Sequence, residues 1–444
     1  MFSNKDLKRL IIPLMIEQLL VVMVGMVDTI MISPYGEAAV SGISLVDAIN
    51  VLLTGMFSAL ATGGAVVAAQ YIGQKSREKA CTAANQLLLA VLIVSGVLMI
   101  ISLIGNKMIL TLIYRKIDAD VMGNARTYFY LSSVSYPFLA VYSAGTALFR
   151  AMGDSKISMK TSIVMNIVNI VGNALLLYVF SFGVLGAALA TLVSRIAASI
   201  IVTKLLLNQE RLLHLAPKLK FGYSPAMVRR ILRIGIPNGL ENSIFQVGKL
   251  IVAGLVSGFG TSAITANAVA NTVCSFEVIP GNAIGLAMIT VVGQCVGSHN
   301  VEDVKKYTAK LMKYAYLSVF VISALVVVLL RPICTAYQLL PETEKLARQI
   351  ILYHSVCCVL IWPASFTLPN ALRAANDVKF TMLASIATMW VCRIGMSYVL
   401  AQYCGFGVLG VWMAMTIDWL VRAALFIVRF IKGSWKKHAG FLES

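Results

Sequence analysis

Residues 6–32 read DLKRLIIPLMIEQLLVVMVGMVDTIMI, and this stretch decides the fold. After Lys5, Lys8 and Arg9 it stays apolar for longer than the roughly 20 helical residues, at about 1.5 Å rise each, that a bilayer core requires. It nevertheless carries two acids, Glu17 and Asp28, spaced by nearly three helical turns and so on one stripe. A carboxylate facing hydrocarbon is costly, whereas one facing a wet cavity or a partner is far less so. The stripe is therefore expected to face the protein interior.

The same device recurs. Residues 229–256, RRILRIGIPNGLENSIFQVGKLIVAGLV, again place basic residues ahead of a proline and a glutamate four residues on, so that Pro13 and Glu17 map to Pro237 and Glu241 at an offset of 224. QYIGQ (70–74) returns as QCVGS (294–298), and FGVLG (182–186) returns unchanged at 406–410. LFRAMGD (148–154) returns as LRAAND (372–377), matching Arg150 and Asp154 to Arg373 and Asp377 at 223. The chain is an internal duplication.

Composition excludes the usual soluble classes. The 444 residues are 59% hydrophobic and only 13% charged, too few charges for a polar surface or a disordered chain. The eight cysteines are scattered, with no paired C-x-x-C, and read as small apolar side chains that imply neither metal nor disulfides. The first segment exceeds a signal-peptide core and precedes many more apolar runs, so it is expected to remain as a transmembrane helix.

The fold expected is an all-α polytopic membrane protein with twelve transmembrane helices in two pseudo-symmetric six-helix lobes. The spans fall near 8–32, 45–69, 83–106, 127–148, 158–180 and 184–206, then 231–257, 269–292, 311–331, 348–370, 380–402 and 408–430. This gives an N-terminal lobe (1–206), a cytoplasmic connector (207–230), a C-terminal lobe (231–430) and a cytoplasmic tail (431–444). Six spans per half make the repeats parallel, around a central cavity. The N-terminus, one set of loops and the tail hold 26 Lys or Arg, against 7 in the opposite loops. That bias puts both termini in the cytoplasm of a multi-pass inner (plasma) membrane protein. The net charge of +18 is then a topology signal and an attraction to anionic lipid, not a sign of nucleic acid.

Inside these spans the ionisable residues are the candidates for function. Glu17, Asp28 and Glu241 suggest ion coupling or substrate contact, and Glu277 joins them. Lys249, about two turns beyond Glu241, is a possible partner of Glu241 or Glu277 across a cavity. Glu241 has two competing roles: a structural pair with Lys249 or another base, or direct binding of substrate or ion beside the break made by Pro237. Arg195, Asp418 and Arg422 lie within a few turns of loops, where stems reach the headgroups; Arg393 also falls inside a span, where ion coupling or substrate contact competes with a structural ion pair. Asn166, Asn169 and Asn173 form one polar stripe, suited to ligand contact or to interhelical glue, and Asn50 and Gln246 add further polar atoms. Arg150 with Asp154, and Arg373 with Asp377, read as i,i+4 pairs bracing cytoplasmic helix ends. No nucleotide loop, nucleophile triad or metal-ligand cluster is evident, so no enzyme activity, cofactor or metal is expected.

At this point the whole chain resembles the multidrug and toxic compound extrusion (MATE) family. The resemblance rests on VGMVDTIM (24–31), ALFRAMGDSKISM (147–159), FGVLGAALAT (182–191), VVGQCVGSHNVEDVKKY (291–307), NALRAANDVKF (370–380), and GVWMAMTIDWLVRA (410–423) followed by GSW (433–435). It implies a secondary antiporter that exports cationic or amphipathic organic compounds as Na⁺ or H⁺ enters, by alternating access. Asp28 matches the first-helix acid to which cation coupling is attributed, and Asp377 the acid after the Leu-Arg pair of helix ten. Two departures stand out: the helix-seven acid of some members would fall near Gln246, whereas this chain has Glu241, and Asn173 stands where an aspartate follows the fifth-helix asparagine.

The expected ion-coupling set is Asp28, Glu17, Asn169 and Asn173, and the expected substrate set is Glu241, Gln246, Lys249, Glu277 and Asn50. The partners would be a small organic cation or amphipath and membrane lipid, with the protein acting as a monomer. A lipid-linked precursor flippase is the alternative, kept open by Lys249, Arg195 and Arg393. A membrane receptor or scaffold without transport is more remote, because the chain offers it no sizeable soluble domain.

Overall fold

The computed structural model describes residues 2–114, 118–216 and 223–441. Part of the expected connector, the basic residues Arg115, Lys116, Lys218 and Lys220, and the end of the tail lie outside the described residues.

No strand occurs among the described residues, which are almost entirely helical. The first half contains α1 (Asn4–Ile32), α2 (Glu37–Gly73), α3 (Arg77–Ile104), a short α4 (Asn106–Ile113), α5 (Ala119–Ala151), α6 (Ser155–Asn173) and α7 (Gly183–Leu206). The second half contains α8 (Pro225–Ser257), α9 (Thr261–Glu277), α10 (Ile279–Gly297), α11 (Val301–Val328), a short α12 (Leu330–Ala336) and α13 (Pro341–Trp362). It ends with α14 (Pro369–Ala374), α15 (Val378–Thr388), α16 (Met396–Tyr398), α17 (Gly407–Lys432) and α18 (Trp435–His438). π-helical stretches continue α6 over Ala174–Val179, join α13 to α14 over Pro363–Thr367, and flank α16 over Met389–Gly395 and Val399–Tyr403.

Ten helical segments among the described residues are long and apolar enough to cross a membrane, where the sequence predicts twelve. The two others, α5 and α8, are 33 residues each, so length is not what separates them. They carry the polar load instead: α5 holds Asp120, Arg126, Arg150 and four serines, and α8 holds Arg229, Arg230, Arg233, Glu241 and Lys249. Burial is inverted relative to a water-soluble protein. Ile104 is 85% exposed and Ile431 76%, whereas Asp418 and Glu277 are fully buried. Apolar side chains face outward because lipid solvates them, and the charges turn inward.

The chain divides into two compact units, Ser3–Gly239 and Leu240–Ser444, the second also holding Phe2. In the first, α5 packs on α2, α3 and α7, and α6 packs on α1 and α7. In the second, α13 packs on α9, α11 and α17, and α10 packs on α11 and α14. The division falls inside α8, after Pro237, rather than at the connector. The start of α8 belongs to the first unit because Arg230 donates to Gln70 and to Tyr71, both at 2.7 Å, and Gly63 meets the backbone of Ile231 and Gly235.

The duplication is visible in the backbone. Gly36 and Gly260, repeat-mates at 224, start α2 and α9 with φ of 93° and 90°, a left-handed conformation that glycine adopts without a Cβ penalty. Gly183 and Gly407, in the two copies of FGVLG, have φ of 55° and 54°.

Candidate functional site

In the first unit, α1 starts at a capping box: Ser3 accepts from the Asp6 backbone N–H, and the Asp6 carboxylate accepts from the Ser3 N–H. Pro13 then interrupts the ladder, since it has no N–H for the carbonyl of Arg9. The Ser155 hydroxyl lies 3.2 Å from the Arg9 carbonyl and 2.7 Å from that of Leu10, so α6 repairs the break. One turn on, Glu17 accepts from Ser158 at 2.7 Å and from Arg150 at 3.2 Å. Glu17 is thus held in a buried ion pair, apart from the polar groups around Asp28.

Asp28 is half-buried and accepts from Asn173 Nδ2 at 2.8 Å. Asn173 also donates to Asn169 Oδ1 at 3.4 Å, and Asn169 donates to Thr191 at 3.3 Å. Asn173 ends α6 just before its π-helical continuation, and Oδ1 of Asn173 is buried without a hydrogen-bond partner. Asp47 and Arg195 interact electrostatically with Asp28. Asn50 donates to Asp47 at 3.3 Å and accepts from the Tyr136 hydroxyl at 3.0 Å, while Arg195 donates to Ser135 at 2.6 Å. The structure therefore brings Asp28, Asn169 and Asn173 together and puts Asn50 in the same unit beside a second acid. Asp47 is absent from the sequence-based set. Its signal was a carboxylate three residues before Asn50 in an apolar span. Arg195 is a donor to Ser135, not a headgroup anchor.

In the second unit, Glu241 accepts from Arg373 at 2.7 Å, and Arg373 also donates to Asn370 at 2.9 Å. Neither Glu241 nor Glu277 pairs with Lys249. Glu277 accepts from Ser355 at 2.7 Å and Ser323 at 2.9 Å, and His354 Nδ1 stands 3.3 Å away without hydrogen-bond geometry. Cys274 completes a buried group whose potential metal-ligand atoms lie within 4.8 Å of one another, a cluster that sequence spacing did not reveal. Two serine hydroxyls already occupy its carboxylate. Gln246 is half-buried on α8, three residues before Lys249.

The expected bracing pairs are not formed. Arg150 binds Glu17, and Asp154 lies 3.8 Å from Arg211. Arg373 binds Glu241, and Asp377 takes two bonds from Arg429 at 2.7 and 3.1 Å. An i,i+4 pair needs one continuous helix, but α5 ends at Ala151 and α14 at Ala374. Gly153 (φ 84°) and Asn376 (φ 65°) turn the chain in between, leaving Asp154 and Asp377 to start the next helix.

Asp418 and Arg422 also depart from expectation. They are 0% and 2% exposed and form a bidentate pair at 3.0 and 3.1 Å, so they are core residues and not headgroup anchors. Arg393 stands 3.8 Å from the same carboxylate. Lys249, Arg393 and Arg422 each lie over the Phe245 ring, at 5.2, 5.1 and 5.5 Å from its centroid.

A duplicated bundle of apolar helices with charged groups turned inward defines a polytopic membrane protein. The MatE family model matches residues 13–175 and again 237–399, the two halves in the repeat's own register, and the chain belongs to this family of multidrug efflux transporters. It is 27% identical to a probable multidrug resistance protein NorM of Thermotoga maritima, covering 98% of this chain and 94% of that one. It is 25% identical to the uncharacterized transporter YisQ of Bacillus subtilis, covering 95% and 93%. Among solved structures, a MATE protein in its bent conformation has a TM-score of 0.90 at 20% identity, covering 98% of this chain and 97% of its own. A MOP superfamily transporter from Pyrococcus furiosus, described as having a binding pocket of reverse polarity that suggests a different function, has a TM-score of 0.89 at 20% identity, covering 99% and 97%. Members of the family are transporters rather than enzymes.

Proposed function

We propose that this chain is a secondary active antiporter that exports cationic or amphipathic organic compounds in exchange for Na⁺ or H⁺ by alternating access. The observation that carries the reading is Asp28, an acid on a membrane-spanning helix held at 2.8 Å by Asn173 with Asp47 and Arg195 as charged neighbours. An acid so placed exchanges a cation for a modest change in its surroundings, and carrying an ion requires a site whose affinity differs between two states. The basic loop bias supports an inner (plasma) membrane protein with both termini in the cytoplasm. It acts as a monomer, with the coupling ion as its only cofactor. The test is gradient-driven flux of tetraphenylphosphonium in proteoliposomes, comparing imposed Na⁺ and proton gradients. Asp28→Asn keeps the shape and removes the charge, and near-complete loss of coupled flux is expected with thermal stability kept. Normal ion-driven flux in that variant would remove Asp28 from the mechanism.

A second reading, movement of a lipid-linked precursor, is favoured by one observation: the excess of cations around Asp418. It shares the scaffold and differs in the charge of the cargo.

A further inference from the structure

Asp418 is the one carboxylate, among the described residues, within ion-pair distance of Arg393 or Arg422, and none is that close to Lys249. Two arginines thus share one carboxylate, and Lys249 joins them over the Phe245 ring without one of its own. The cluster lies well inside its helices, away from their starts. Arg393 lies about 22 Å along the helix from the start of α15, and Asp418 about 16 Å from the start of α17. Each cation in such a place costs about 2.5–3.5 kcal/mol when isolated, and one carboxylate offsets only part of three.

The residual donors are also unspent. Arg422 is 2% exposed, yet its Nε has no hydrogen-bond partner. Arg393 faces Asp418 only at 3.8 Å. The exposed Lys249 ammonium has, among the described residues, a cation–π contact with Phe245 and no carboxylate. Cation–π contacts stabilise these groups by about 0.5–2 kcal/mol but neutralise nothing. Phe366 lies 5.0 Å from Arg422 and packs with Trp362 (5.0 Å) and Trp419 (5.9 Å) in a buried apolar cluster beside it.

We propose that Lys249, Arg393 and Arg422, gathered on Phe245, form a subsite for the anionic group of an amphipathic substrate. The group is a phosphate, sulfonate or carboxylate. This rests on the transporter reading and deepens it by naming the substrate class. Arg422 and Arg393 supply fixed guanidinium donors, and Lys249, with no competing acid, supplies the mobile charge.

The test uses the full chain in nanodiscs, with equilibrium binding of undecaprenyl phosphate, 1-naphthyl phosphate and tetraphenylphosphonium. Wild-type protein is expected to bind at least one of the phosphates. Preference for undecaprenyl phosphate marks a lipid source and preference for 1-naphthyl phosphate a soluble one. Lys249→Gln, at an exposed residue with no ion pair to break, is expected to weaken phosphate binding by about tenfold or more and leave tetraphenylphosphonium unchanged. Arg393→Gln is expected to act in the same direction. Absence of binding of both phosphates overturns the subsite, as does unaltered phosphate affinity in folded Lys249→Gln. Either result leaves ion-driven flux and its dependence on Asp28 as separate measurements, so failure of the subsite is distinguishable from failure of the antiporter reading.

Discussion

Glu241→Gln tests whether the most conspicuous acid of the second unit belongs to architecture or to binding. The Glu241–Arg373 contact is 2.7 Å long, with side chains only 9% and 12% exposed. Removing one partner of a buried ion pair costs about 3–5 kcal/mol, because the other charge is left uncompensated. Glutamine keeps an acceptor oxygen, and Arg373 keeps its 2.9 Å bond to Asn370, so the expected loss is smaller, about 2–3 kcal/mol. Arg373→Gln strands a carboxylate and is expected to cost more, about 3–5 kcal/mol. The double variant should recover about 2 kcal/mol relative to the sum of the singles. Thermal unfolding in nanodiscs measures all three, alongside substrate affinity over a range of Na⁺ concentration. A fall in affinity with unchanged stability of Glu241→Gln would refute the structural assignment and return the residue to the binding site.

Three further outcomes follow from the geometry. Gly63→Ala would bring a Cβ to 2.7 Å from the Ile231 carbonyl oxygen, a backbone atom that cannot swing away, and is expected to cost about 1–3 kcal/mol in thermal unfolding; Gly25→Ala, with open space around it, is the neutral control. Ser155→Ala removes the donor to the carbonyls freed beside Pro13 and should destabilise by about 1–2 kcal/mol, whereas Ser155→Thr retains the hydroxyl and most of the stability. Asp47→Asn should reduce ion-driven flux while leaving the fold intact, as measured in proteoliposomes; unaltered coupling would separate Asp47 from Asp28.

Much of the fold was legible because membrane insertion imposes a coarse requirement: apolar runs of spanning length at a regular spacing. The duplication was legible from motifs recurring at one offset, and helical periodicity gave the Asn169–Asn173 stripe on α6, whereas the shared stripe of Glu17 and Asp28 on α1 did not reveal their separate partners. Tertiary partners were less legible. Arg150 and Asp154 look paired by spacing, yet a left-handed turn at Gly153 separates them, and the true partner of Arg150 is 133 residues away. The repeat carried that answer: Glu17 maps to Glu241 and Arg150 to Arg373, so one long-range pair implies the other. Lys249 misled for a different reason. Proximity to Glu241 along α8 said nothing about Arg373, which reaches that acid from another helix.

The repeat offset is 224 at Pro13/Pro237 and QYIGQ/QCVGS, 223 at Arg150/Arg373 and Asp154/Asp377, and 224 again at FGVLG, so the second half loses one residue before α14 and regains one after it. A π-bulge amounts to one extra residue in a helix. Both halves have a π-helical stretch just before FGVLG, at Ala174–Val179 and Val399–Tyr403, but the second half has another at Met389–Gly395. The extra residue is accommodated there, in the turn that corresponds to Asn169 and contains Arg393. At the 224 offset, Asp28 itself corresponds to Val252, and Gly25 to Lys249. The region that carries an acid and two amides in the first unit therefore carries cations in the second, while the Glu17–Arg150 and Glu241–Arg373 pairs are kept in both. A symmetric pair of cation sites would have needed the acid twice. The two halves instead keep the Glu–Arg pair while the second places Lys249 and Arg393 where the first has Gly25 and Asn169.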